Sequence, residues 1–229
     1  MRMFAGGASV IGPFHQADSC PNQDAMLLNG HCGGWVAAGA DGLGSRPLSH
    51  FGAAAAVKAA GRALIEGHEC QKMPEAIHHG WRSLTKDHPP DVLATTCLSI
   101  QIDKRGRCQA YQLGDGLLLT RLNGQIHMLT PARMGFANET CALGRQFNVS
   151  EWQIHQFQFN DPGDGVILMT DGVSEDLVVE RLPDFFEYLY QQLRRRSRRT
   201  ANIWIREQLQ QWPTPGHQDD KTLIGIFVR

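Results

Sequence analysis

VLATTCLSIQIDKRGRCQAYQL, residues 92–113, is the stretch whose reading decides the fold class. Two runs, 92–102 and 107–113, are rich in β-branched and apolar residues, and Asp103-Lys104-Arg105-Gly106 separates them as a polar turn ending in glycine. A connection that short joins strands running in opposite directions. The same signals repeat outward. Runs 116–122 and 125–129 flank Asn123-Gly124, and further strand-like runs lie at 35–40, 152–159, 166–170 and 222–228. Antiparallel pairing is therefore expected throughout.

Helical patterns come in two pairs. Ser49 is placed to cap a helix over 49–66, which contains the alanine-rich stretch 53–60, and Pro74 suits the first turn of a second helix ending near Lys86. The later pair, 183–196 and 199–212, carries Phe185, Phe186, Leu189 and Leu193, then Ile203, Trp204 and Leu209. Strands interrupted at two points by paired helices predict an α+β protein: two antiparallel sheets packed together with helices outside them. No repeat or linker divides the chain, so 1–229 is read as one domain.

The composition narrows the function classes. The chain has 229 residues, 42% of them hydrophobic, enough for a substantial core. A net charge of -1 and a pI of about 6.8 give no electrostatic reason to expect nucleic acid or an anionic membrane as partner. The six cysteines include no Cys-x-x-Cys pair, which argues against structural zinc and a disulfide framework and for free, mostly buried thiols. The stretch 4–14 is interrupted by glycine and lacks the form of a signal peptide, and nothing approaches the roughly 20 apolar residues of a membrane span. A cytoplasmic protein is expected.

Aspartates stand at the ends of hydrophobic runs in Asn22-Gln23-Asp24, Ala40-Asp41-Gly42, Thr170-Asp171-Gly172 and Asp219-Asp220-Lys221-Thr222. Carboxylates gathered at one sheet edge repel unless hard, oxygen-preferring cations such as Mg²⁺ or Mn²⁺ neutralise them. Metal-assisted chemistry on phosphate follows. Singly, each Asp-Gly is an ordinary turn dipeptide.

Taken in order, Asn22-Gln23-Asp24, Ala40-Asp41-Gly42-Leu43-Gly44-Ser45, Ala94-Thr95-Thr96-Cys97, Leu113-Gly114-Asp115-Gly116, Met169-Thr170-Asp171-Gly172 and Asp219-Asp220-Lys221-Thr222-Leu223 resemble the metal-dependent protein phosphatases, the PPM or type 2C family, in a compact bacterial form. The resemblance spans nearly the whole chain. It implies a four-layer α-β-β-α sandwich of two antiparallel β-sheets flanked by helix pairs, with two Mg²⁺ or Mn²⁺ ions at one edge. Asp41 would bridge both ions, the Gly42 carbonyl would hold one, and Asp171 with Asp219 the other. Asp24 would act through water. Asp115 and Glu175 match positions that hold a third, weaker ion in some members. Two ions about 3.5–4 Å apart lower the pKa of a shared water and bracket an in-line displacement, so no protein nucleophile is required.

Two positions depart from the family pattern. Ser19 stands where an arginine commonly grips the substrate phosphate, leaving His15, Arg46 or the metals alone for that task. Leu43 stands where some relatives have histidine. Elsewhere, His68 with Cys70 and the pair His78-His79 lack a second half-site for a metal, and the run Arg194-Arg195-Arg196-Ser197-Arg198-Arg199 reads as a solvated helix junction before it reads as a site for an acidic partner. The expected function is hydrolysis of phosphoserine or phosphothreonine in a phosphorylated protein, a Ser/Thr kinase or its target, reversing the action of a bacterial Ser/Thr kinase. The competing readings are a catalytically weak phosphoprotein-binding regulatory module that keeps the fold and, with ligands too dispersed for one loop, a structural Ca²⁺ protein.

Overall fold

The computed structural model describes residues 1–130, 141–213 and 218–229. Among the described residues, ten strands form two five-stranded sheets in which every neighbouring pair is antiparallel. One sheet runs β1 (Met3–Val10), β10 (Lys221–Val228), β9 (Gly165–Met169), β6 (Leu117–Leu122), β7 (Gln125–Met128). The other runs β2 (Asp24–His31), β3 (Gly34–Asp41), β4 (Cys97–Ile102), β5 (Arg107–Leu113), β8 (Gln153–Gln158). The β4–β5 hairpin expected from residues 92–113 is present, and Asn123 and Gly124 turn β6 into β7 with φ of +50° and +79°, the left-handed pair of a type I′ turn.

Three apolar clusters correspond to three interfaces. Leu28, Ala37, Ile100, Leu118, Leu168 and Ile226 meet between the two sheets. Outside the second sheet lie α2 (Ser49–Glu66) and α3 (Met73–Leu84), whose Leu64, Ile77 and Trp81 are fully buried. Outside the first lie α5 (Leu182–Arg194) and α6 (Arg198–Gln210), which bury Phe186, Leu193 and Ile205. The result is an α-β-β-α sandwich. Among the described residues no helix is long and apolar enough to cross a membrane.

Several local expectations are corrected. Strands β1 and β2 escape a propensity reading because Met-Phe-Ala-Gly-Gly-Ala-Ser-Val is small and unalternating; a Cβ on Gly6 would stand 2.9 Å from the Ala201 Cβ, so the smallness lets α6 close onto the sheet. The run 92–102 becomes continuous strand only at Cys97, since Pro90–Leu93 form a 3₁₀ turn and Thr95 makes only isolated bridges, to Gly42 and Leu143. Ser49 caps nothing: Leu48 holds the N-cap position without a side-chain bond, and the Ser49 hydroxyl is buried without a partner. Only Cys97 and Cys108 are buried; all six thiols are free and Cys32 is exposed.

Candidate metal centre

The strand ends that carry the aspartates converge on one edge of the sandwich. Asp24 opens β2 and Asp41 closes β3, and the two are direct partners in the antiparallel ladder. Asp41 is held through its backbone. Its N–H donates to Thr96 Oγ1 (2.9 Å), and its carbonyl accepts from Thr95 Oγ1 (2.8 Å) and from the Thr96 N–H (2.8 Å). The adjacent threonines therefore orient Asp41 while leaving its carboxylate uncommitted to them. Gly42 continues the turn, its N–H bonded to the Gln23 carbonyl at 3.1 Å.

From the opposite sheet, Thr170 and Asp171 leave the end of β9, and Asp171 begins the short helix α4 (Asp171–Ser174). A Cβ on Gly172 would overlap the Asp220 carbonyl oxygen, so glycine here lets α4 lie against the start of β10. The Asp115 loop is tied by Gln112, whose Nε2 donates to the carbonyls of Gly114 (3.0 Å) and Gly116 (2.8 Å). Gly114 sits at φ +100°, and a Cβ there would come 2.6 Å from Thr96 Cγ2.

These elements bring carboxylate oxygens of Asp41, Asp115 and Asp171 within 4.8 Å of one another. The same three side chains border a cavity of about 610 Å³ together with Gly42, Asp219 and His15. Burial pushes the Asp41 carboxyl well above the usual range, and Asp24, Asp171, Asp219 and Asp115 raise it further. Burial likewise raises Asp171 to about 6, helped by Asp115, Asp219 and Glu175. Asp24 is pushed up to about 8 by burial, against the lowering effect of the neighbouring Thr222 and Thr170 hydroxyls. Its Oδ2 accepts from Thr170 Oγ1 at 2.8 Å, while Oδ1 is buried without a partner. Carboxylates this close, desolvated and raising one another's pKa are a donor set suited to hard divalent cations.

Asp115, matched in sequence to a third-ion position, groups with Asp41 and Asp171. Asp219 borders the same cavity, but its Oδ1 accepts the Asp220 N–H at 2.8 Å and its carboxylate groups with His15 and Asp220. Glu175 lies one turn along from Asp171, its N–H bonded to the Asp171 carbonyl. His15 borders the cavity and is buried, with Nδ1 2.9 Å from Asp220 Oδ2. Arg46 is not among the residues lining it. Asp220 is buried and accepts the N–H groups of Gly12 (2.6 Å) and Gln23 (2.5 Å), joining the starts of α1 (Pro13–Ala17) and β2 to β10. The bonding roles of Thr170, Thr95, Thr96 and Asp220 depend on pairings between distant segments, which no local pattern displays.

His68 pairs with Glu66, and the His78 ring lies 3.4 Å from the Arg145 carbonyl; neither enters a metal-type group among the described residues. In the arginine run, Arg194 lies over Tyr190, Arg196 over Trp204 and Arg198 over Trp35, with Arg196 also bonded to the Gln192 carbonyl, as a helix junction requires.

The sequence matches the family model described as protein phosphatase 2C over residues 11–212. No curated protein matches it. Among solved structures, the catalytic domain of the serine threonine protein phosphatase PstP, in complex with two manganese ions, is 17% identical with a TM-score of 0.70, the match covering 99% of each chain. PppA, described as a key regulatory component of the T6SS in Pseudomonas aeruginosa, is 17% identical with a TM-score of 0.72, covering 100% of this chain and 99% of that one. The S. agalactiae serine/threonine phosphatase is 15% identical with a TM-score of 0.72, each chain covered in full. At these identities the likeness is one of fold.

Proposed function

Because this chain belongs to the protein phosphatase 2C family, we propose that it acts as one domain over residues 1–229, a Mg²⁺- or Mn²⁺-dependent hydrolase that removes phosphate from phosphoserine or phosphothreonine in a protein. We assign it to the cytoplasm of a bacterium, reversing the work of a Ser/Thr kinase. The observation that carries the reading is the convergence of Asp41, Asp115 and Asp171 at the cavity. Asp41, the Gly42 carbonyl, Asp115, Asp171, Glu175 and Asp219 would hold the cations, with Asp24 acting through water. Divalent cations there supply Lewis acidity, acidifying water and screening phosphoryl charge.

The protein's own contribution is preorganisation. Thr95 and Thr96 hold the Asp41 backbone, Gln112 braces the Asp115 loop, and Thr170 holds the Asp24 carboxylate. Among the described residues lining the cavity there is no arginine or lysine. Charge on the substrate phosphate is then met by the cations and by neutral donors, with neither Ser19 nor Arg46 supplying a cation at that wall. A phosphothreonine peptide assay tests the reading: turnover is expected with Mn²⁺, to vanish with EDTA and to return on readdition. Full turnover in excess EDTA would overturn it.

The missing cation also supports a second reading, a regulatory module that binds phosphoprotein with little turnover. Mn²⁺ binding by calorimetry, with a bound but unhydrolysed phosphothreonine peptide, would favour it.

A further inference from the structure

Beside the Asp41–Asp115–Asp171 cluster stands a second group of different chemistry. His15, Asp219 and Asp220 each present one ligand-type atom within 4.8 Å of the others. The placement of His15 is tightly built. Gly12 precedes α1 and leaves no room for a Cβ, which would overlap the Asp219 backbone, and its N–H donates to Asp220 Oδ1. The Phe14 N–H bonds the Gln218 carbonyl at 3.1 Å, so both ends of this turn are pinned to residues 218–220. His15 itself is 8% exposed. Its Nδ1 is buried and makes no hydrogen bond, although Asp220 Oδ2 is only 2.9 Å away, because the two atoms are out of line.

A close, misaligned nitrogen–oxygen contact is the spacing of neighbouring ligands on one ion. Metal–ligand bonds of about 2.1 Å in an octahedral shell put adjacent donor atoms about 3 Å apart and opposite ones about 4.2 Å apart. The Asp220 carboxylate is braced by the Gly12 and Gln23 N–H groups, the outer support that fixes a ligating carboxylate. An imidazole nitrogen among carboxylates also changes which ion is preferred. Mg²⁺ favours oxygen alone, whereas Mn²⁺ stands higher in affinity order and accepts nitrogen more readily.

We propose that His15 Nδ1, Asp219 and Asp220 form a mixed nitrogen–oxygen cation site bordering the Asp41–Asp115–Asp171 cluster, and that this site selects Mn²⁺ over Mg²⁺. The inference deepens the metal-dependent phosphatase reading and rests on it for the neighbouring cluster.

Pulsed electron paramagnetic resonance on the full chain loaded with Mn²⁺ alone tests it, independently of turnover. A ¹⁴N coupling from a directly bound nitrogen is expected, replaced by the ¹⁵N pattern when wild-type protein is labelled with ¹⁵N-histidine, and lost in His15→Gln. By calorimetry, His15→Gln is expected to weaken Mn²⁺ binding by about tenfold or more while changing Mg²⁺ binding little. Bound Mn²⁺ with no nitrogen coupling, or a coupling unchanged by labelling, would overturn the site and leave the phosphatase reading standing. Failure of phosphothreonine hydrolysis alongside a clear histidine coupling would overturn the phosphatase reading and leave the site.

Discussion

A single hydroxyl, Thr170 Oγ1, donates to Asp24 Oδ2 at 2.8 Å across 146 positions of sequence and accepts the Thr222 N–H at 3.0 Å. Asp24 belongs to one sheet, while Thr222 belongs to β10 of the other and Thr170 directly follows its β9. The hydroxyl therefore joins the two sheets at the edge where the aspartates gather.

Thr170→Val keeps the shape and removes the hydroxyl, orphaning a buried carboxylate oxygen and a buried N–H. Each unpaired group costs about 1–3 kcal/mol. Urea unfolding of metal-free protein is expected to show a destabilisation of that order for Thr170→Val and a near wild-type midpoint for Thr170→Ser. Equal midpoints for Thr170→Val and wild type would remove the hydroxyl from this role.

Gly172→Ala tests the approach of α4 to β10. The added methyl overlaps the Asp220 carbonyl, so backbone must move where Asp171 and Asp220 are both positioned. Overpacking of this kind costs about 1–3 kcal/mol. A lower unfolding midpoint and weaker Mn²⁺ binding by calorimetry are expected together. Unchanged metal affinity would mean that Asp171 does not depend on this contact.

Much of this edge was legible in the chain, because each aspartate ends a hydrophobic run and a sheet must place such ends side by side. The β4–β5 and β6–β7 hairpins were legible for a similar reason, since Asp103–Gly106 and Asn123-Gly124 specify their own turns. Strand β1 was not, because its Gly6 answers to Ala201 on a helix nearly two hundred residues away. The grouping of the carboxylates also depends on tertiary detail: Asp41, Asp115 and Asp171 come from three separate segments, and only the packed sheets bring their oxygens within 4.8 Å. Burial of Asp220 hid its role as an anchor of Gly12 and Gln23 from any local reading.

The pH dependence of the metal-free protein follows from the raised carboxyls. Asp171 at about 6 and Asp24 at about 8 hold protons more tightly folded than unfolded, where the ordinary value is 3.8. Their contribution to stability is thus fully present below that unfolded value and is lost as pH rises through the folded ones. EDTA-treated protein is expected to lose stability between about pH 4 and 8, with saturating Mn²⁺ restoring it at the upper end by mass action. A denaturant midpoint that rises steadily across that window without metal would contradict the assignment.

Asp41→Asn separates stability from function. Asp41 is the carboxyl pressed by four others, Asp24, Asp171, Asp219 and Asp115, and its own backbone bonds to Thr95 and Thr96 do not involve the side chain. Replacing the charge by an amide of the same shape relieves repulsion in the metal-free state and removes an anionic ligand from the cation site. At pH 8 the variant is expected to unfold at higher urea than wild type when both are metal-free, and to lose at least about tenfold in Mn²⁺ affinity together with nearly all phosphothreonine hydrolysis. The gain should disappear near pH 4, where wild-type Asp41 is already protonated. A variant less stable than wild type at pH 8, yet still binding Mn²⁺ normally, would show that Asp41 serves the fold and not the cation.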